Sequence, residues 1–145
     1  MSIHIRKAKM QDSKRLSELM AQLSRHEVSE QEMMNRIEFV ESSPFDSLYV
    51  WEENERIYGV MSYRIRENIE DVTKYGEISS IVVDQEARRK GVGRQLMEYA
   101  DHLAKEQGCI GTWLVSGFGR EEEAHQFYKD LGFNITGYRF VKKFR

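Results

Sequence analysis

The sequence has few of the residues that cross-link or interrupt a chain, with one cysteine and one proline among 145 residues. A single cysteine excludes an internal disulfide and suits a reducing compartment, so we expect a cytoplasmic protein. No apolar run reaches the roughly 18 residues of a membrane-spanning helix, and the amino-terminal run lacks the apolar stretch of a secretion signal. The net charge of −2 lacks the basic excess of nucleic-acid binders. The length of 145 residues predicts a single domain over residues 1–145, and the absences above favour no membrane or nucleic-acid partner.

Metal-binding residues are sparse and scattered. The histidines show no paired spacing and no cysteine partner, so we predict no metal site. They are His4, His26, His102 and His125. Cys109 directly follows a glycine that ends a predicted helix, and a small apolar packing role is favoured there over nucleophilic catalysis.

The apolar residues repeat with two periods that alternate along the chain, which predicts a mixed α/β fold. Alternating apolar and polar residues indicate strands, and spacings of three and four indicate helices. The predicted order is β-α-α-β-β-β-α-β-α-β. The strands are predicted near residues 3–6, 47–51, 57–65, 77–83, 110–115 and 135–144, and the two long carboxyl-terminal helices near 93–107 and 121–130.

Local signals mark the ends of the two amino-terminal helices. Asp12 precedes a helical apolar repeat and is predicted to cap it. Ser29 is followed three residues later by Glu32, the pattern of a capping box. Pro44 cannot continue a helix and therefore limits the second one. The polar run at 52–55 lies between two strand-like segments and predicts a hairpin.

A glycine-rich, basic loop at residues 82–93 is the most informative segment. An apolar strand leads through a polar turn and a basic triplet into Gly91 and Gly93, which open a long helix. The free N–H groups of a helix start attract anions, and glycine lets a ligand approach the backbone. Cations are unfavourable at that end of a helix, so their presence favours a bound phosphate or pyrophosphate. A solvated basic turn is the alternative, and the spacing matches neither a Walker loop nor a dinucleotide motif.

Two segments together resemble the GNAT superfamily of acetyl-coenzyme A-dependent N-acetyltransferases. Residues 88–93, RRKGVG, are similar to its Q/R-x-x-G-x-G/A signature, and residues 124–133, AHQFYKDLGF, resemble its A-x-x-F/L-Y-x-x-x-G-F segment. The resemblance implies a mixed, mostly antiparallel sheet that splays apart between strands four and five. It also implies that the pantetheine arm of acetyl-coenzyme A lies in that opening.

The same resemblance implies two residues with catalytic roles. An amine must lose its proton before it attacks a thioester, and the leaving thiolate gains from a proton donor. Glu77, at the start of the strand before the loop, is the implied base, although a solvent-facing or lysine-paired glutamate is the alternative. Tyr128 is the implied general acid, although a packed core aromatic is the alternative.

Contacts to the coenzyme follow from the same motif positions. The resemblance implies that strand backbone groups meet the pantetheine, that the basic loop surrounds the pyrophosphate, and that the strand ending at Ser116 forms the other wall. A frequent family asparagine is missing near that strand end, and Ser116 could supply a shorter polar group. The implied contact residues are Ile81, Val82, Val83, Arg88, Arg89, Gly91, Val92, Gly93, Arg94, Ser116, Phe127 and Tyr128.

These features favour an enzyme that moves acetyl from acetyl-coenzyme A to a primary amine of a small molecule or peptide by direct transfer in a ternary complex. A non-catalytic acyl-coenzyme A sensor of the same fold is the alternative, and a nucleic-acid module built on the basic triplet is disfavoured by the acidic pI. Many relatives are dimers, so a homodimer stays open. Acidic residues in the predicted substrate segments suit a cationic amine; they are Glu27, Glu30, Glu32, Glu67, Glu70 and Asp71.

Overall fold

A computed structural model describes residues 2–88, 90–115 and 121–145. Its order confirms the predicted sequence of elements as far as the fourth helix. No helix among these residues is long and apolar enough to cross a membrane. The elements are β1 (Ile3–Lys7), α1 (Ser13–Ser24), α2 (Glu30–Ser42), β2 (Asp46–Glu53), β3 (Arg56–Glu67), β4 (Lys74–Val83), α3 (Val92–Glu106), β5 (Gly111–Leu114) and α4 (Glu121–Asp130).

The five strands form one sheet in the order β1-β2-β3-β4-β5. Every neighbouring pair is antiparallel except β4 and β5, which are parallel, so the predicted mixed and mostly antiparallel sheet is confirmed. Successive residues of a strand face opposite sides of a sheet. In β2, Leu48 and Val50 accordingly pack with α1 and α2, whereas Tyr49 and Trp51 pack with α3. The sheet is therefore covered by helices on both faces.

The local signals at Ser29 and in the hairpin are confirmed. The Ser29 hydroxyl accepts a hydrogen bond from the Glu32 N–H at 3.0 Å, and the Glu32 carboxylate accepts from the Ser29 N–H at 3.4 Å. The hairpin between β2 and β3 turns through Asn54 and Glu55, both left-handed, with φ of 50° and 68°. Two successive residues of this conformation match the right-handed twist of a strand pair.

The prediction that the Asp12 side chain caps α1 is wrong. Asp12 occupies the N-cap position of α1, but its side chain makes no capping hydrogen bond there. Its carboxylate instead accepts the Lys9 N–H at 2.7 Å and pairs with the Arg6 guanidinium at 2.8 Å. Arg6 also reaches Glu52 at 3.0 Å. The Asp12 carboxylate therefore pairs with Arg6, which β1 and Glu52 of β2 hold in place, and not with an N–H of α1. A hydrogen bond between two charged groups is stronger than a bond from a carboxylate to a backbone N–H.

Helix α3 lies very close to the sheet at its amino-terminal end. A Cβ placed on Gly59 of β3 would lie 2.5 Å from Cγ1 of Val92, the first residue of α3. One turn later, the Trp51 indole N–H donates to the Gln95 side-chain oxygen at 2.7 Å. Close packing and a buried polar contact therefore fix the start of the helix opened by the glycine loop.

The prediction of a last strand at residues 135–144 is wrong. Residues 134–145 form neither helix nor strand. Tyr138, Phe140 and Phe144 are 90%, 92% and 90% exposed, so their rings lie off the body of the chain. Burial of such side chains is what stabilises a strand on a sheet, and it is missing here.

Candidate active site

One extra residue in β4 creates a bulge in the middle of the sheet. Ser62 pairs with Ser80, but the next residue of β3, Tyr63, pairs with Ile78, so Ser79 has no partner. The bulge keeps Ile78 and Ile81 on the face that carries α3, although their spacing of three would place them on opposite faces of a regular strand. Bulges of this kind re-aim side chains and end strand pairing near functional sites.

The described pairing between β4 and β5 ends at this bulge, and we call the edge of β4 beyond Ile78, on the side away from β3, the opening. Their parallel pairing runs from Tyr75–Gly111 to Ile78–Leu114 and ends there, whereas β4 continues to Val83. Beyond Ile78, β4 therefore has a paired edge toward β3 and, among the described residues, an unpaired edge where β5 would continue. The splay predicted between strands four and five depends on residues 116–120, which lie outside the described residues, and it stays a prediction.

Backbone groups of β4 point into this opening. The Asp84 N–H donates to the Tyr58 carbonyl on β3 at 2.8 Å. Because alternate residues of an antiparallel ladder turn toward the partner strand, the N–H and C=O groups of Ile81 and Val83 point away from β3. By the same alternation, the backbone groups of Val82 point toward β3, and its side chain is buried against α1 and α2. Two of the three predicted strand residues thus have backbone donors and acceptors on the side away from β3, the arrangement with which an extended ligand would pair.

The glycine loop places free backbone N–H groups at the start of α3. Gly91 is the N-cap residue with φ of +75°, a conformation that L side chains rarely adopt. The first helical hydrogen bond runs from the Gln95 N–H to the Gly91 carbonyl at 3.0 Å. The N–H groups of Val92, Gly93 and Arg94 precede it, so they have no partner within the helix. A phosphate placed here would meet several N–H donors and the positive end of the helix dipole.

The cations of this loop have different partners. Arg88 and Arg94 are exposed, and neither forms an ion pair with any residue that the structure describes. Lys90 instead donates to Glu53 of β2 at 2.8 Å and lies 5.3 Å from the Tyr58 ring centroid. The hydrogen bond that Lys90 donates to Glu53 raises the pKa of Lys90. Arg88 and Arg94 are therefore available to an anion, whereas Lys90 attaches the loop to the sheet.

A second buried contact fixes the turn between β4 and the loop. The Asp84 carboxylate accepts the Glu86 N–H at 2.9 Å and pairs with the Arg15 guanidinium of α1. Burial alone would raise the pKa of Asp84, but these two partners outweigh burial and lower it. Arg15 also donates to the Ile57 carbonyl at 2.8 Å, so α1, β3 and the turn are joined. The sequence alone does not reveal Glu53, Asp84 and Arg15 as supports, because their partners lie 37 to 69 residues away.

Helix α4 brings the second motif against the first. A Cβ placed on Gly93 would lie 3.9 Å from Cζ of Phe127 and 3.7 Å from Cγ2 of Val83. Tyr128 packs with the α3 cluster, and its ring lies edge-on to Phe127 and Phe133 at centroid distances of 5.5 and 6.1 Å. The two segments separated by about 35 residues of sequence therefore line one region, at the open end of β4.

Glu77 lies on the other face of the sheet. Its neighbour Ile78 packs with the α3 cluster, so strand alternation turns Glu77 away from it. The Glu77 carboxylate accepts the Ser79 hydroxyl at 2.8 Å and lies 3.6 Å from the Arg66 guanidinium. Glu77 and Tyr128 therefore flank the opening from opposite faces. Ser116 and Arg89, also predicted for this site, lie outside the described residues.

The family model for the acetyltransferase (GNAT) family matches residues 13–133, most of the chain and all of the site described above. The chain belongs to the GNAT acetyltransferase family. The resemblance read from residues 88–93 and 124–133 is thereby confirmed.

Two relatives are N-acetyltransferases by name. The uncharacterized N-acetyltransferase YhdJ of Bacillus subtilis is 39% identical over 66 residues, 45% of this chain and 46% of YhdJ. The aminoalkylphosphonate N-acetyltransferase of Salmonella typhimurium is 29% identical over 89 residues, 61% of this chain and 57% of that enzyme. The matches span about half the length of these relatives.

Solved structures share the fold along nearly the whole chain. Glucosamine-6-phosphate N-acetyltransferase from Arabidopsis thaliana is 25% identical, with a TM-score of 0.83 over 100% of both chains. A transcriptional regulator from Bacillus halodurans is 21% identical, with a TM-score of 0.89 over 99% of this chain and 100% of that one. Aminoglycoside N-acetyltransferase AAC(6')-Iy, solved in complex with CoA, is 16% identical, with a TM-score of 0.84 over 99% of this chain and 95% of that one.

Proposed function

We propose that this GNAT protein transfers acetyl from acetyl-coenzyme A to a primary amine by direct attack in a ternary complex. The observation that carries the proposal is one continuous path along β4. Outward backbone groups at Ile81 and Val83 lead to the N–H groups of Val92, Gly93 and Arg94 at the start of α3. This arrangement suits a ligand with an amide-bearing arm and a pyrophosphate, which is the chemistry of coenzyme A.

The two flanking residues supply the proton transfers. Glu77 takes a proton from the amine, directly or through water, so that a neutral nitrogen attacks the thioester carbonyl. A β4 backbone N–H facing the opening stabilises the oxyanion that develops. The C–N bond forms, the C–S bond breaks, and the Tyr128 hydroxyl protonates the departing thiolate. Their positions on opposite faces separate the amine side from the thiol side.

The acceptor we propose is a small or peptide-borne primary amine, preferably cationic. The names of two relatives, an aminoalkylphosphonate and a glucosamine-6-phosphate N-acetyltransferase, describe acceptors with a primary amine. The acidic side chains in α2, in the segment before it and in the β3–β4 loop are exposed and could attract a cation. We further propose a homodimer that works in the cytoplasm.

Thiol release from acetyl-coenzyme A in the presence of a panel of amines tests the transfer reaction. The panel contains polyamines, aminosugars, aminoalkylphosphonates and lysine peptides. We expect at least one amine to raise release above thioester hydrolysis, with the acetylated amine found by mass spectrometry. If calorimetry shows tight coenzyme A binding but no amine is acetylated, the transfer proposal fails and the sensor alternative replaces it.

A further inference from the structure

A row of four side chains crosses the sheet on the face that carries α1 and α2. The strand registers pair Asp46 with Arg64, Arg64 with Glu77, and Glu77 with Trp113, so the four residues lie side by side. Asp46 is two residues from Leu48, which packs with α1 and α2, so strand alternation places the row on that face. All four are half-buried, and the row is therefore within reach of a small ligand.

The two arginines that β3 places on this face differ in their partners. The Arg64 guanidinium donates to the Asp46 carboxylate at 2.5 Å and lies 5.8 Å from the Phe45 ring centroid. Arg66 makes no hydrogen bond to any residue that the structure describes, and its side chain is 51% exposed. Its ion-pair partner is Glu77, with 3.6 Å between Nε of Arg66 and Oε1 of Glu77. An exposed pair at this distance contributes little to stability, so a ligand can displace it easily.

Neighbouring side chains orient both members of this ion pair. The Arg66 guanidinium carbon lies 5.5 Å from the Trp113 ring centroid, within the range of a cation–π contact. The Ser79 hydroxyl donates to Oε2 of Glu77 at 2.8 Å, which leaves Oε1 on the side of Arg66. A cation and an anion are thus held next to each other, and each has hydrogen-bonding positions to spare.

Two adjacent opposite charges are complementary to a ligand that carries the same charges in reverse order. With an ammonium against Glu77 and an acid group against Arg66, the four charges alternate and every neighbouring pair attracts. Charge-assisted contacts are about 2.7–2.9 Å long, and the two protein groups are 3.6 Å apart, so the two charges of the ligand must lie only a few ångströms apart. An amine joined to an acid group through about two carbons has this spacing.

We propose that the acceptor is a short aminoalkyl acid, whose carboxylate or phosphonate binds Arg66 while its amine faces Glu77. The proposal rests on the transfer reaction proposed above and specifies its acceptor. The preference for a cation then applies to the nitrogen, and an acid group beside that nitrogen is recognised as well. Arg66 determines specificity, because a polyamine offers it no anion and brings a second cation close to it.

Titration by nuclear magnetic resonance tests this recognition without any acetyl transfer. Coenzyme A replaces acetyl-coenzyme A, and the indole N–H signal of Trp113 reports binding at the row. β-Alanine and 2-aminoethylphosphonate carry both charges, whereas propylamine carries the amine alone and propionate the acid alone. We expect one of the first two to bind at least about tenfold more tightly than propylamine or propionate, and the tighter one identifies the acid group. Equal affinity for propylamine, or no binding by either aminoalkyl acid, would overturn the proposal.

Two arginine variants show whether Arg66 is responsible. Arg36 of α2 is also exposed and lies 5.6 Å from an aromatic ring, that of Phe39, so Arg36→Met is a matched control. We expect Arg66→Met to weaken binding of the aminoalkyl acid by about tenfold, to the level of propylamine, and to leave propylamine binding unchanged. Arg36→Met should keep wild-type affinity for every ligand. Wild-type affinity of Arg66→Met for both aminoalkyl acids would contradict the proposal.

The binding measurements and the transfer reaction can fail separately. If no amine is acetylated but Arg66→Met still loses affinity for an aminoalkyl acid, the transfer proposal fails and the recognition by Arg66 stands. If propylamine is acetylated with the same kcat/KM as β-alanine and 2-aminoethylphosphonate, the transfer proposal stands and the proposed acceptor class is wrong.

Discussion

The Lys90 ammonium donates to the Glu53 carboxylate at 2.8 Å and ties the glycine loop to β2. Glu53 is almost fully buried, and the Lys90 ammonium is the cation that pairs with it. Two residues of the basic triplet therefore differ in role: Lys90 supports the loop, whereas Arg88 is open to a ligand.

Replacement of Lys90 and of Arg88 by methionine separates these two roles. We expect Arg88→Met to weaken coenzyme A binding by about tenfold with little change in stability, because it removes a cation near the pyrophosphate. Lys90→Met should lower the melting temperature, since Glu53 loses its partner, and should change affinity by less than about threefold. Calorimetry and thermal unfolding measure both effects. Equal losses of affinity would show that Lys90 also contacts the ligand.

Gly91 and Gly108 provide a matched pair at the two ends of α3. Their φ angles are +75° and +76°, and a Cβ on either would meet nothing within 4 Å. Leucine at either position should therefore cost a similar 1–2 kcal/mol or so of backbone strain. Only Gly91→Leu should also weaken coenzyme A binding by about tenfold or more, because its side chain obstructs the anion site. Titration calorimetry on both variants decides, and equal affinities would contradict an anion site at Gly91.

Tyr128→Phe removes one hydroxyl and keeps the ring packing against Phe127 and Phe133. We expect kcat to fall by roughly 10²–10⁴, with little change in coenzyme A affinity, because the thiolate loses its proton donor. Tyr99→Phe on α3 makes the same chemical change away from the proposed reaction and should keep wild-type turnover. Steady-state kinetics measure both, and an unchanged kcat in Tyr128→Phe would assign this residue to packing alone.

Glu77→Gln should act on the amine rather than on the thiol. Its defect in kcat/KM for the amine should shrink as pH rises, because the neutral amine then forms without a base. Glu98→Gln, on the exposed side of α3, serves as the control and should match wild type at every pH. A Glu77→Gln defect that stays constant up to the pKa of the amine would mean that this carboxylate orients substrate without taking its proton.

Asp84→Asn tests the contact between Arg15 and the turn before the loop. The pKa of Asp84 is lowered in the folded state, so its contribution is complete above the ordinary value of 3.8 and is lost as pH falls through the folded value. We expect the variant to be about 1–3 kcal/mol less stable at pH 7 and to approach wild type below pH 3.8 or so. Urea unfolding across this range measures the difference. Glu86→Gln, an exposed neighbour, should show no such convergence.

Local rules predicted the features that depend on adjacent residues. The capping box at Ser29 and the opening of α3 after Gly91 both follow from interactions within one turn of helix. The side chain of Asp12 escaped prediction because its strongest partner, Arg6, is positioned by β1 and β2. The bulge at Ser79 was not predicted either, because a bulge is defined by how the residues of β4 pair with those of β3, and β4 alone does not reveal that pairing.

At residues 135–144, the local pattern predicted a strand that the structure does not contain. Its alternating pattern is typical of a strand, but a strand also needs an edge to pair with, and the pattern does not say which chain supplies it. Glu77 was predicted in part. Its place on β4 follows from the sequence, whereas its contacts with Ser79 and Arg66 depend on the bulge and on the neighbouring strand.

The indole contact between Trp51 and Gln95 gives the protein a built-in optical reporter. The chain has two tryptophans: Trp51 is buried against the start of α3, and Trp113 lies on β5 beside the opening, 5.5 Å from the Arg66 guanidinium. Indole fluorescence responds to the polarity and charge around the ring. The fluorescence of the unlabelled protein therefore comes both from Trp51, beside α3, and from Trp113, on β5. The variant Trp113→Phe would leave Trp51 as the source of the indole emission.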